Sequence, residues 1–130
     1  MKSLVIVSGV WNALLGAGLV LAPLAAQIGL RLPPPFWAWL SAGFLWFTAA
    51  VLILAARDLR TRAAFVYWEA FLRYLAAALL LTIGPAVLGW PAWVLGATDL
   101  AWGLSYTFGL PRALHTTHGR LLRDDLAADV

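Results

Sequence analysis

The chain has no cysteine. That excludes a disulfide framework, a thiol nucleophile and a thiolate metal site. Charge is equally scarce, at 12% of 130 residues. Residues 3–30, 32–56 and 74–98 contain no Asp, Glu, Lys or Arg. No stretch alternates apolar and polar residues with a period of two, so a β-barrel is not expected. There is no P-loop, dinucleotide fingerprint, nucleophile elbow or HExxH zinc helix in the sequence.

What is present is apolar. Hydrophobic residues make up 63% of the chain, and mean hydropathy is +0.86. A soluble domain of this size leaves too much of its surface in water to hide so much apolar side chain. The remaining solvent is a bilayer, and each charge-free window is long enough to cross one as a helix. The reading is an all-α membrane protein with four transmembrane helices, at about Leu4–Ala22, Phe36–Ala56, Ala64–Ile83 and Pro91–Phe108. The first span has one lysine and no clear small-x-small site after it, so it reads as part of the bundle rather than as a cleaved signal.

Basic residues set the expected topology. Lys2 precedes the first span; Arg57, Arg60 and Arg62 fill the middle link; Arg112, Arg120 and Arg123 follow the last span. The other two links carry only Arg31. The positive-inside rule then places both termini in the cytoplasm, in what reads as a bacterial inner membrane. Trp37, Trp39, Trp90 and Trp93 cluster at the opposite surface, where amphipathic rings favour the headgroup level. Pro33, Pro34 and Pro35 make the first outer link stiff. The pI near 10.0 therefore reflects topology, and no nucleic-acid partner is expected. Residues 1–111 form the bundle and 112–130 a cytoplasmic tail.

The bundle reads as two tandem hairpins, residues 4–56 and 64–108. PFWAWLSAGFLW (Pro35–Trp46) lies over PAWVLGATDLAW (Pro91–Trp102) at a constant offset of 56. Upstream, LVLAP ending at Pro23 resembles LLTIGP ending at Pro85. Both copies would start inside, which makes a parallel internal repeat. Gly43 occupies the place of Asp99, so the first copy is apolar where the second is charged.

That charge is the main chemical signal. Glu69 and Arg73 stand inside the third span, Asp99 inside the fourth and Asn12 inside the first. At about 1.5 Å per helical residue, Glu69 lies roughly 7 Å deep, while Asn12, Arg73 and Asp99 lie roughly 12–13 Å deep. An ion at that depth costs from a few to over ten kcal/mol, so such groups turn inward and find partners. The simplest arrangement pairs Arg73 with Asp99 across the hairpin, holds Glu69 on Arg73 at i, i+4, and adds the Asn12 amide. Glu69, Arg73 and Asp99 sum to minus one. Either one acid stays protonated or an outside cation completes the set. The set is a structural lock on the second hairpin, or a site for a ligand, a proton or catalysis.

Asp99, Trp102 and Tyr106 share a helix face, and Ser8, Asn12 and Gly16 form a small stripe suited to close packing. Trp46, Tyr74 and Trp11 either wall a pocket for a flat apolar molecule or simply pack. The candidate catalytic acids are Asp99 and Glu69; the candidate ligand-binding residues are Asn12, Trp46, Arg73, Tyr74, Trp102 and Tyr106. His115 and His118 stand three apart, but without an acidic ligand in register they are a weak metal signal, and no metal or cofactor is expected. Leu121, Leu122 and Leu126 are expected to lay a short amphipathic turn on the cytoplasmic leaflet.

The four-span layout, the GLVLAP end of the first span and the arginines at inner ends resemble the small bacterial DoxX-like membrane proteins. That resemblance covers most of the chain and implies a four-helix bundle; some members are linked to quinone-coupled oxidation. A looser similarity is to four-span sterol-binding and sterol-isomerase bundles, onto whose intramembrane acids and tryptophans Glu69, Asp99 and Trp102 would map. Small multidrug transporters share the size but are expected to carry a glutamate in span one, where this chain has Asn12. Three functions follow. The first is an accessory or assembly subunit, or a bundle binding a lipid, quinone or isoprenoid. The second is an isomerase or cyclase on an isoprenoid or sterol-like substrate, with Asp99 or Glu69 as proton donor and tryptophans stabilising a carbocation. The third is an oligomeric small transporter. Partners would be the lipid bilayer, a larger membrane complex or further copies of the chain, and an apolar small molecule.

Overall fold

The computed structural model describes residues 1–21, 27–29, 31 and 35–126. The expected end of the first span at Ala22, the Pro23 anchor of the upstream repeat, and Pro33 and Pro34 of the stiff link lie outside the described residues. The described residues form helices and turns, with no strand among them. Among the described residues four helices are long: α1 (Lys2–Val20), α2 (Pro35–Arg57), α3 (Ala63–Thr82) and α5 (Pro91–Leu114). Two are short: α4 (Gly84–Leu88) and α6 (His118–Leu122). α1, α2 and α3 are each long and apolar enough to cross a membrane, which marks a membrane protein. α5 has 24 residues, but Thr98, Asp99, Ser105, Tyr106 and Thr107 make it less apolar.

The turn between α2 and α3 is tight because its polar side chains satisfy the backbone. Thr61 Oγ1 donates to the Asp58 carbonyl at 3.4 Å, and Arg62 Nη1 donates to the Leu54 carbonyl at 2.9 Å. The second bond engages one of the carbonyls that the end of α2 leaves unpaired. At the far end of α3, Pro85 sits in the first turn of α4, where a missing N–H costs nothing. Gly89 ends that helix with φ +87°, a conformation that favours glycine. Pro91 then starts α5.

α5 runs past the expected end at Phe108. It continues through Pro111, and His115 stops it in the left-handed region with φ 49°. Pro111 removes the N–H that would bond the Thr107 carbonyl, yet the helix goes on for three residues beyond it. The Thr116 N–H donates back to the Pro111 carbonyl at 3.0 Å and closes the end.

α1 packs on α2, and α3 on α5. In the first pair the contact is backbone-close: a Cβ on Gly9 would lie 3.2 Å from the Ala49 carbonyl oxygen, and one on Gly16 3.2 Å from that of Ala42. In the second pair Gly103 lies under the Tyr74 ring and Gly96 under Leu81. The two pairs share one core at the end that holds the α2–α3 turn. Val5, Leu52, Val66, Tyr67, Tyr106 and Leu110 meet there. Elsewhere the surface is apolar, with Phe44, Phe47, Phe65 and Leu75 all exposed. Among the described residues the buried polar ones are Ser8, Asn12 and Arg73. Apolar outside and polar within is the order that lipid imposes.

The tail corrects one expectation. Leu121 and Leu126 do not face a leaflet; both are buried in the shared core, and only Leu122 is exposed. The physical reason is that α6 is held against the bundle by polar bonds. Tyr67 Oη and His118 Nδ1 are 2.7 Å apart, and Trp68 Nε1 donates to the Leu122 carbonyl at 3.3 Å. Docked there, the leucines close the core from below.

Candidate functional site

Arg73 is the centre of the buried layer. It sits in mid-α3, and α3 turns it inward because every alternative faces the apolar outside. Its Nε donates to Glu69 Oε1 at 2.7 Å, one helical turn earlier. Its Nη1 donates to Asp99 Oδ1 on α5. Its Nη2 donates to Ser8 Oγ at 2.9 Å and to Asn12 Oδ1 at 2.8 Å, both on α1. The Asn12 amide nitrogen then donates to Thr48 Oγ1 on α2 at 2.9 Å, and Thr48 donates to the Leu45 carbonyl at 3.0 Å. One hydrogen-bonded chain therefore touches all four long helices. The side chains are withdrawn from the surface: Arg73 is 4% exposed, Glu69 9% and Asp99 13%.

The expected pairings of Arg73 with Asp99, Glu69 and Asn12 are all present. Two partners were not foreseen. Ser8 reads as a small packing residue in the sequence, but it accepts a bond from the guanidinium. Its i, i+4 spacing from Asn12 was the available signal, since it puts a second acceptor on the same face. Thr48 gave no signal, because a threonine in an apolar helix commonly bonds its own turn.

Not every buried polar atom is paired. Glu69 Oε2 is buried with no hydrogen-bond partner among the described residues. The same holds for Tyr106 Oη and Trp102 Nε1. A cleft of about 320 Å³ leads to this layer between the two hairpins. Phe44, Leu45, Leu72 and Ala76 line it with apolar side chains, Asn12, Thr48, Glu69, Arg73 and Asp99 give it a polar floor, and Ser41 adds a further hydroxyl. Its walls come from α2 and α3, with Asn12 of α1 and Asp99 of α5 at the floor.

The remaining candidate residues lie elsewhere. Trp46 is half exposed and lies over Gly16, with its Nε1 donating to the Ala13 carbonyl at 3.2 Å. Tyr74 lies between α3 and α5, its hydroxyl 2.7 Å from Thr107 Oγ1. Tyr106 is fully buried in the shared core. Trp102 lines an open depression on α5 with Trp93, Ala97, Ala101 and Ser105. None of these four borders the cleft, nor does Trp11. His118 is engaged by Tyr67, and His115 forms the end of α5.

Chemically, the layer offers a fixed guanidinium, two carboxyl groups and an amide at the bottom of an apolar slot. It can anchor the polar end of an apolar molecule. No family model, curated protein or solved structure matches the chain.

Proposed function

We propose that the chain is a four-span bundle of two tandem hairpins that holds an apolar ligand by its polar end. The ligand class is a lipid, quinone or isoprenoid, and it reaches the layer sideways, from the membrane, between α2 and α3. The cleft is the observation that carries this reading: its apolar walls lead to Glu69, Arg73 and Asp99. α5 is the fourth span; its buried Asp99 and the exposed Leu100, Leu104 and Phe108 suit a helix with one face in lipid. The pairing of α1 with α2 and of α3 with α5 supports the parallel repeat, in which α2 and α5 each begin at a proline. The arginines of the α2–α3 turn favour both termini inside a bacterial inner membrane. The likeness in layout to DoxX-like proteins agrees with a small ligand-binding bundle.

The test is to purify the protein in a mild detergent and identify bound molecules by native mass spectrometry. One apolar species should stay bound per chain. Ala76→Trp, which fills the cleft, should lose it while thermal unfolding stays unchanged. Retention of only the bulk lipid mixture, or equal retention by Ala76→Trp, would overturn the reading.

A second reading is an accessory subunit of a larger membrane complex. The observation that favours it is the closure of the network, in which all three guanidinium nitrogens of Arg73 are bonded within the chain. On that reading the layer only fixes helix register, and Asp99→Asn should weaken assembly rather than ligand retention.

A further inference from the structure

We propose that the polar end of the ligand is a protonated amine, so that the cleft selects lipophilic ammonium compounds over neutral or acidic amphiphiles. This rests on the cleft being a ligand site, as argued above, and adds the chemistry of the head.

Three observations carry it. The first is the sum of charges. One guanidinium faces two carboxyl groups in a layer that is almost sealed, and no second cationic side chain borders the cleft. The second is which atoms remain unused. Arg73 spends Nε on Glu69, Nη1 on Asp99 and Nη2 on two α1 acceptors, so little donor capacity is left for an incoming anion. Glu69 Oε2 is the reverse case: a carboxyl oxygen with no partner, on a side chain 9% exposed that lines the cleft. Its surroundings ask for a donor. The third is the lining. Thr48 gives its one hydroxyl proton to the Leu45 carbonyl, Asn12 gives one amide hydrogen to Thr48 and accepts from Arg73, and Ser41 adds a hydroxyl that can donate or accept, so none of the three brings a charge. A carboxylate or phosphate head would meet two carboxyl groups and one guanidinium whose N–H groups are nearly all engaged. A neutral alcohol would offer one donor and leave the charge uncompensated. An ammonium offers three donors and a positive charge, and brings the layer to neutrality.

The head group needs an apolar body. Phe44, Leu45, Leu72 and Ala76 provide the slot for it, and Phe44 and Leu72 are themselves exposed on the apolar surface. The ligand therefore enters tail-outward from lipid, as a long-chain or polycyclic amine would lie.

The test uses three probes of one chain length: hexadecylamine, hexadecanol and hexadecanoic acid. They compete at equal concentration for the protein in nanodiscs of phosphatidylcholine, with empty nanodiscs as background, at neutral pH. Adducts are counted by native mass spectrometry. The amine should exceed the alcohol by about tenfold, because a charge-assisted bond is about twice as strong as a neutral one, and the acid should not exceed background. Glu69→Gln keeps shape and removes charge, and should bring amine and alcohol to equal occupancy. Equal binding of amine and alcohol to the unaltered protein would overturn the proposal and leave the cleft as a site; that is the result if one acid carries its own proton. Preference for the acid, or an amine preference that survives Glu69→Gln, would overturn it as well. Failure of all three probes to exceed background would remove the ligand site itself. The comparison on the unaltered protein decides the matter even if the variant does not fold.

Discussion

The first hairpin, α1 with α2, buries no ionisable group, whereas the second, α3 with α5, carries every charge of the buried layer. They are also closed differently. In the first, glycines and alanines bring backbone against backbone, with the Gly9 and Gly16 positions lying against carbonyl oxygens of α2. In the second, side chains make the seam: Tyr74 over Gly103, Leu81 over Gly96, and Arg73 to Asp99. The difference shows a division of labour. The second hairpin brings charge that it cannot fully satisfy, and the first supplies neutral acceptors, Ser8 and Asn12, at a rigid distance. Four-helix order in this bundle is thus set by one guanidinium as much as by packing.

Removing that guanidinium gives the largest expected effect. Arg73→Met leaves Glu69 and Asp99 buried without a counter-charge, which costs about 3–5 kcal/mol when one partner of a buried pair is lost. Unfolding of the purified protein in detergent, by heat or by a denaturing surfactant, reads the loss. The triple variant Arg73→Met with Glu69→Gln and Asp99→Asn should recover most of it, since a buried ionic set replaced by neutral groups is often close to neutral in stability. A triple variant as unstable as the single one would mean that the hydrogen bonds to α1, rather than charge, hold the two hairpins together.

The seams themselves give the next largest effects. Gly9→Ala places a methyl 3.0 Å from Ile53 and 3.2 Å from the Ala49 carbonyl. A backbone oxygen yields only if the helices part, and overpacking of this kind costs about 1–3 kcal/mol. Gly103→Ala meets the Tyr74 ring at 2.8 Å. A side chain can swing, so the cost there is the bond between Tyr74 and Thr107, about 1 kcal/mol. The same thermal measurement should therefore rank Gly9→Ala as the more damaging of the two. The reverse order would show that the first hairpin is the more yielding one.

How much of this could be read beforehand depends on how rare each residue type is in its setting. The Arg73–Asp99 pair was legible because an ion in an apolar helix has few places to go, and opposite charges at matching depth point to each other. The ends of α2 and α3 were legible from Arg57 and the arginine-rich turn, and the helices lie within a residue of the expected spans. The course of α5 past Phe108 was not, because the apolar run that marks a span ends there while the helix itself continues through Pro111. Leu121 and Leu126 misled for a different reason: an apolar stripe is the same whether it covers lipid or protein. The tryptophans were least legible. Trp46 and Trp102 align in the repeat, yet one bonds the Ala13 carbonyl and the other has an unpartnered nitrogen. Aromatic residues suit both a lipid face and a pocket wall, so composition alone could not separate them.

The smallest effect should come from the far end of the polar chain. Thr48 is the one side chain of α2 in the hydrogen-bonded chain from Arg73, and it both accepts from Asn12 and donates to its own helix. Thr48→Val keeps the volume and removes both bonds. Interhelical hydrogen bonds within membrane proteins average about 0.6 kcal/mol, so stability should fall by about that amount. The freed Asn12 nitrogen, however, lines the cleft beside Glu69. It should turn toward the unpartnered Glu69 Oε2, occupying the very acceptor assigned to a ligand donor. Thr48→Val should therefore lower amine occupancy severalfold while barely moving the unfolding temperature. A loss of stability with unchanged occupancy would place Thr48 in the first hairpin's packing alone and confine the ligand chemistry to the second.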